Sequence, residues 1–110
     1  MIIKYNNKRI KIHAKKVFLF GKLFGLMFKK KDTDNLLFDF GKKTKISIHS
    51  MFVFFKFLAI WLDEKNNVLE FKIIKPFTPK ITPKNQFSRL IEAPFNNKNK
   101  EILSFFIGGK

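Results

Sequence analysis

Residues 8–13 read KRIKIH, with Ile10 and Ile12 alternating against polar neighbours. A period of two is the signature of a half-buried strand. Residues 17–28, VFLFGKLFGLMF, follow a different rhythm. Phe20, Leu23, Phe24, Met27 and Phe28 recur at spacings of three and four, as on one face of a helix. Gly21 and Gly25 each weaken a helix by about 1 kcal/mol relative to Ala. The expectation is a short or broken helix, or a compact turn, laying aromatics on a sheet. Residues 32–35 form a loop. Residues 36–40, LLFDF, read as a strand stopped by Gly41 and the polar run KKTK. Residues 45–49, KISIH, alternate again, which predicts a hairpin around residues 41–43.

Residues 51–62 form the longest apolar run, interrupted only by Lys56 and bounded by Asp63 and Glu64. A membrane-spanning helix needs about 20 apolar residues, so this run is too short to be one. Its aromatic and β-branched content favours a strand, and continuous apolarity implies cover on both faces. We expect a long central strand, bulged near Lys56. The cluster DEKNN at 63–67 is a turn, and VLEFKII at 68–74 is the returning strand of a second hairpin. Leu69, Phe71 and Ile73 should face the core. Pro76, Pro79 and Pro83 make the segment at 75–85 an extended surface loop. Residues 87–93 form a strand ended by Pro94, residues 96–100 a polar turn, and residues 101–107 a last strand. Six or seven short strands with one short helical segment predict a mostly-β single domain over residues 1–110. Its architecture should be an antiparallel sandwich, jelly-roll-like, or an open barrel.

Composition narrows the function classes. The 110 residues contain no cysteine, which excludes a disulfide scaffold, thiolate catalysis and cysteine zinc sites. The same absence fits a reducing compartment, and the N-terminus has no signal-peptide pattern. We therefore expect a cytoplasmic protein without a transmembrane segment. The net charge is +15, which raises a polyanion partner. Yet 21 of the 23 basic residues are Lys, spread over the whole chain. Specific nucleic-acid readers lean on the planar fork of Arg. Generic solvated charge is the plainer reading, with non-specific nucleic-acid binding as its consequence.

Few residues offer chemistry. His13 and His49 are the only histidines, and neither lies at a metal-ligand spacing. Asp32, Asp34 and Asp39 lack a calcium-loop pattern and read as solvated turn residues. No nucleophile elbow, phosphate loop or dinucleotide fingerprint is present. Lys interleaved with Phe, as in FVFFKF, could stack single-stranded bases, although most of sixteen Phe must serve a core. No metal or cofactor is expected.

Five segments in order resemble a known family. GLMFK at 25–29 (followed by the apolar strand LLFDF at 36–40), SIHSMFVFF at 47–55, WLDEKNNVLEF at 61–71, KPFTPKITPKN at 75–85 and LIEAP at 90–94 are similar to the motifs of the domain of unknown function 192. The likeness covers about residues 10–107. It implies a mostly-β, sandwich-like or jelly-roll domain and no established activity. One departure stands out: relatives carry Pro-[Leu/Ile]-Asp where this chain has Lys56, Phe57 and Leu58, so the acid is lost. The motif segments nominate a binding surface of His49, Met51, Gly25, Met27, Phe28, Lys29, Thr78, Pro79, Lys80 and Glu92. The expected function is a non-enzymatic binding or interaction module, with a protein as its candidate partner; the alternative is a basic nucleic-acid-binding protein.

Overall fold

The computed structural model describes residues 1–17, 26–27 and 29–108. Strands β1 (Ile2–Tyr5) and β2 (Lys8–Lys11) form an antiparallel hairpin of their own. Its turn residues, Asn6 and Asn7, both have positive φ, 51° and 63°. A two-residue hairpin turn asks for that conformation, and Asn tolerates it. A five-stranded sheet follows, built from β3 (Lys15–Val17), β4 (Leu36–Thr44), β5 (Phe57–Leu62), β6 (Val68–Ile74) and β7 (Phe87–Pro94). Its spatial order is β3-β4-β7-β5-β6, with β3 parallel to β4 and the other pairs antiparallel. A 3-10 turn (Asn97–Asn99) then leads into helix α1 (Lys100–Ile107).

The mostly-β fold class is the one the sequence predicts. The main sheet is mixed rather than purely antiparallel, because β3 runs parallel, and among the described residues the strands do not close into a barrel. Every residue of β5 is buried. Phe57, Ala59 and Trp61 point into one apolar cluster, and Leu58, Ile60 and Leu62 into the other. Cover on both faces explains why the run carries no polar alternation. One face is covered by Leu26, Val53, Phe55 and Ile81. The other is covered by the β1–β2 hairpin, through Ile3 and Ile10, and by α1, through Ile102 and Phe106. Leu58 is fully buried on this second face as part of the apolar core.

Five expectations need correction. Residues 101–107 form a helix, not a strand. Ile102 and Phe106 are its buried positions, four residues apart and so on one helical face. The β-prone composition yields to the helical cover that the sheet requires. Strand β4 does not stop at Gly41 but passes through it to Thr44. Gly41 has φ 71°, its N–H donates to Asp39 Oδ1 at 3.0 Å, and the register against β7 shifts between Asp39 and Thr44. The glycine is an irregularity within a strand. Residues 45–49 accordingly make no hairpin with β4. Only Ile48 forms a bridge, with Ile81, while β4 pairs with β7.

The long central strand is shorter than expected, and β7, not β5, occupies the middle of the sheet. Residues 51–56 lie outside any strand; Val53 and Phe55 fold back as cover for the sheet. On β6, Leu69 and Ile73 are exposed, and only Phe71 of the expected trio packs inward, against Tyr5 and Phe106. The register slips at Leu69, since Trp61 pairs with Glu70 but Leu62 with Val68. The β5–β6 turn itself is as expected. Asp63 accepts from the Lys65 and Asn67 N–H groups, both at 2.9 Å. Burial pushes its carboxyl up, but bonds from Asn67 and Lys65 and the charge of Lys4 outweigh that and hold it below the usual range.

Gly41→Ala supplies a local test. Open space surrounds the site, so no clash arises, but alanine in left-handed backbone costs about 1 kcal/mol. Urea unfolding should show that loss with an unchanged denaturant slope.

Candidate functional site

Two of the motif segments meet at Ser50, which is wholly buried. Its N–H donates to Thr78 O at 2.8 Å, and its carbonyl accepts from Phe77 N–H at 2.8 Å. Its hydroxyl donates to Lys75 O at 2.6 Å and accepts from Thr78 N–H at 2.7 Å. Reciprocal bonds between Ile48 and Ile81, at 2.8 and 2.9 Å, extend the seam. Ser47 and Thr82 hydroxyls close it at 2.7 Å. A single serine thus satisfies backbone groups that the three prolines leave outside any ladder.

This seam presents aromatic side chains outward. Phe52, Phe54 and Phe77 are 45%, 62% and 44% exposed. Phe77 meets Phe54 with ring centroids 5.3 Å apart and Phe52 at 6.1 Å, both edge-on. Phe52 and Phe77 sit at φ 62° and 59°. Left-handed backbone is uncommon for a bulky residue and costs on the order of 1–3 kcal/mol. Here two such residues carry rings that meet edge-on, both partly exposed to solvent. Residues 40–62 and 71–91 contain no acidic residue, so the chain around the phenyl cluster is purely basic.

Of the nominated surface, His49, Met51, Thr78, Pro79 and Lys80 come together here. His49 is exposed, and its Nδ1 accepts from Met51 N–H at 3.2 Å. Thr78 Oγ1 donates to Lys75 O at 2.9 Å, while Pro79 and Lys80 are exposed. Met27 instead packs, half-buried, against the core beneath. Lys29 is exposed on its own turn, with its N–H on Leu26 O. Gly25 and Phe28, like the helical reading of residues 18–25, lie outside the described residues.

Glu92 does not belong to this surface. It lies on β7 opposite Ala59 and Leu36, only 6% exposed. No hydrogen bond reaches its carboxyl among the described residues, and burial pushes its pKa up to about 8. Trp61, two positions along β5 from Ala59, holds a buried indole N–H that has no hydrogen-bond partner among the described residues. The acid and the indole occupy diagonal positions on one sheet face.

Phe52, Phe54, Phe77 and Ser50 escape a reading from sequence. Their one signal is the alternation in MFVFF, where Val53 and Phe55 turn inward while Phe52 and Phe54 turn outward. Among the described residues no three His, Cys, Asp or Glu side chains gather as a metal site. Asp39 pairs with Arg89 at 3.2 Å. No described helix is long and apolar enough to cross a membrane.

No family model and no curated protein matches the chain. Two solved structures resemble it. One is a protein of unknown function from Novosphingobium aromaticivorans DSM 12444, with TM-score 0.74 and 12% identity over 99% of this chain and 76% of that one. The other is a "putative transcription regulator" from Sinorhizobium meliloti 1021, with TM-score 0.68 and 15% identity over 92% of this chain and 81% of that one. At such identities the likeness is one of fold.

Proposed function

We propose that the chain is a non-enzymatic interaction module that docks a protein partner through the Phe52, Phe54 and Phe77 cluster. The observation that carries this reading is the exposed phenyl cluster held on two left-handed backbone positions. Exposed apolar patches of this kind mark interaction sites, and backbone strain persists where surrounding structure enforces it. The chemistry of the partner follows from the surroundings. Three rings want an apolar groove, and a flanking chain with no acidic residue wants an acidic rim.

The edge-on packing argues against a base-stacking platform. Bases stack on open ring faces, whereas these rings turn edges and faces toward each other. Basic residues also line clefts on several sides of the molecule, Lys4, Lys8 and Arg9 in one and Lys72, Lys75 and Lys80 in another, rather than one stripe. The segments that Ser50 joins are two of those that resemble the domain of unknown function 192. Their meeting supports that family reading as part of the proposal.

The test is capture from nuclease-treated native lysate at about 150 mM salt, where generic charge is screened. A Phe52→Ser/Phe54→Ser/Phe77→Asn variant should lose the captured protein, while Lys8→Gln/Lys11→Gln, exposed and outside the flanking segments, should retain it. Equal loss in both variants, or dependence of capture on nucleic acid, would overturn the reading.

A further inference from the structure

A second site lies away from the phenyl cluster. The loop at 29–34, Lys56 at the entry to β5, and the chain after β7 border an open cleft of about 870 Å³. Lys30, Lys31, Lys56 and Lys98 line it, against the single carboxylate of Asp32. Its walls are tied together. Phe95 N–H donates to Lys56 O at 3.0 Å, and Asn96 Nδ2 donates to Lys31 O at 2.9 Å. Lys98 Nζ donates to Asp32 O at 2.7 Å. Lys98 Nζ also stands 3.7 Å from Asp34 Oδ1, whereas Lys30, Lys31 and Lys56 form no ion pair among the described residues, so the cleft carries a net positive charge that favours an anion.

The lining also has an apolar part. Phe95 and Leu103 contribute it, and Lys56 Nζ stands 4.9 Å from the Phe95 ring centroid. Lys is a point charge that suits phosphate, whereas planar carboxylate recognition favours the fork of Arg, which the lining lacks. The volume suits a small organic ligand and exceeds the needs of a bare inorganic anion. The exposed Asn97 side chain at the rim offers both a donor and an acceptor.

We propose that this lysine-lined cleft binds a phosphate ester carrying a planar ring, the mononucleotide class. The lysines take the phosphate, Phe95 and Leu103 take the ring, and Asn97 reads the ring's edge. The site is independent of the phenyl cluster.

Isothermal titration of the full chain with each of the four ribonucleoside monophosphates, at about 150 mM salt, tests it. At least one should bind saturably. Lys31→Gln/Lys56→Gln should weaken that binding about tenfold or more, since both side chains are exposed and their loss leaves the fold intact. Lys30→Gln/Lys98→Gln should do the same. Lys72→Gln/Lys80→Gln, with the same charge change on another part of the surface, should leave it unchanged. Inorganic phosphate should bind about tenfold more weakly than the nucleotide. Absence of saturable binding, equal weakening by the control variant, or equal affinity for inorganic phosphate would each overturn the assignment.

Discussion

Glu92→Gln is expected to stabilise the protein by about 3–5 kcal/mol near pH 9 and to change little near pH 5. The carboxyl is buried without a hydrogen-bond partner among the described residues, and its pKa rises from 4.5 to about 8. In that interval the folded chain holds a proton that the unfolded chain has released. Stability from this group is therefore complete below about pH 4.5 and is lost as pH climbs toward 8. Above 8, folding must bury a charge on the sheet face that also carries Leu36, Ala59 and Leu90. Glutamine keeps the shape and carries no charge. Urea unfolding at about pH 5, 7 and 9 should show two curves that diverge as pH rises. Parallel curves would mean that the carboxylate finds compensation the geometry does not provide.

Ser50→Ala should cost about 1–3 kcal/mol. The hydroxyl is the partner of both Lys75 O and Thr78 N–H; alanine orphans the Thr78 N–H beside the buried Ser50 position and leaves Lys75 O with the Thr78 hydroxyl alone. The effect should not stop at stability. Ser50 backbone bonds alone would then hold residues 75–78 in place, and Phe77 would lose its fixed seat beside Phe52 and Phe54. Amide exchange at residues 77 and 78 should quicken more than in β5 or β7. Uniform quickening across the sheet would show that the serine supports the fold in general and not the aromatic seam.

Much of the fold is legible in the pattern of apolar positions. Alternation finds β2, the turn cluster at Asp63 finds the β5–β6 hairpin, and continuous apolarity finds a strand covered on both faces. The failures have one cause, the competition between local pattern and long-range pairing. LLFDF pairs with a strand about fifty residues later, so the nearer KISIH segment is left as a loop. EILSFFI has β-prone residues but becomes the helix that the sheet's second face needs. Gly41 looks like a stop because an irregularity within a strand and a turn draw on the same residue type.

The candidate site is half legible. The resemblance nominates His49, Met51, Thr78, Pro79 and Lys80, and these do gather. The three exposed Phe are hidden among sixteen of the same type, most of which must be core. Nothing in a sequence distinguishes a Phe in left-handed backbone from a Phe in a strand. Glu92 shows the reverse problem: it stands in a motif and reads as surface, yet it lies at the centre of the sheet.

The central claim is that the phenyl cluster serves a partner and not the fold. Phe77→Asn tests it most directly, because asparagine accepts the left-handed backbone that phenylalanine occupies at a cost. Relief of strain should offset the two lost ring contacts, keeping unfolding free energy within about 1 kcal/mol of the native chain. Capture of the protein partner, measured on the same preparation, should fall about tenfold or more. A loss of about 3 kcal/mol or more in stability with capture unchanged would place Phe77 in the core's service and contradict the account.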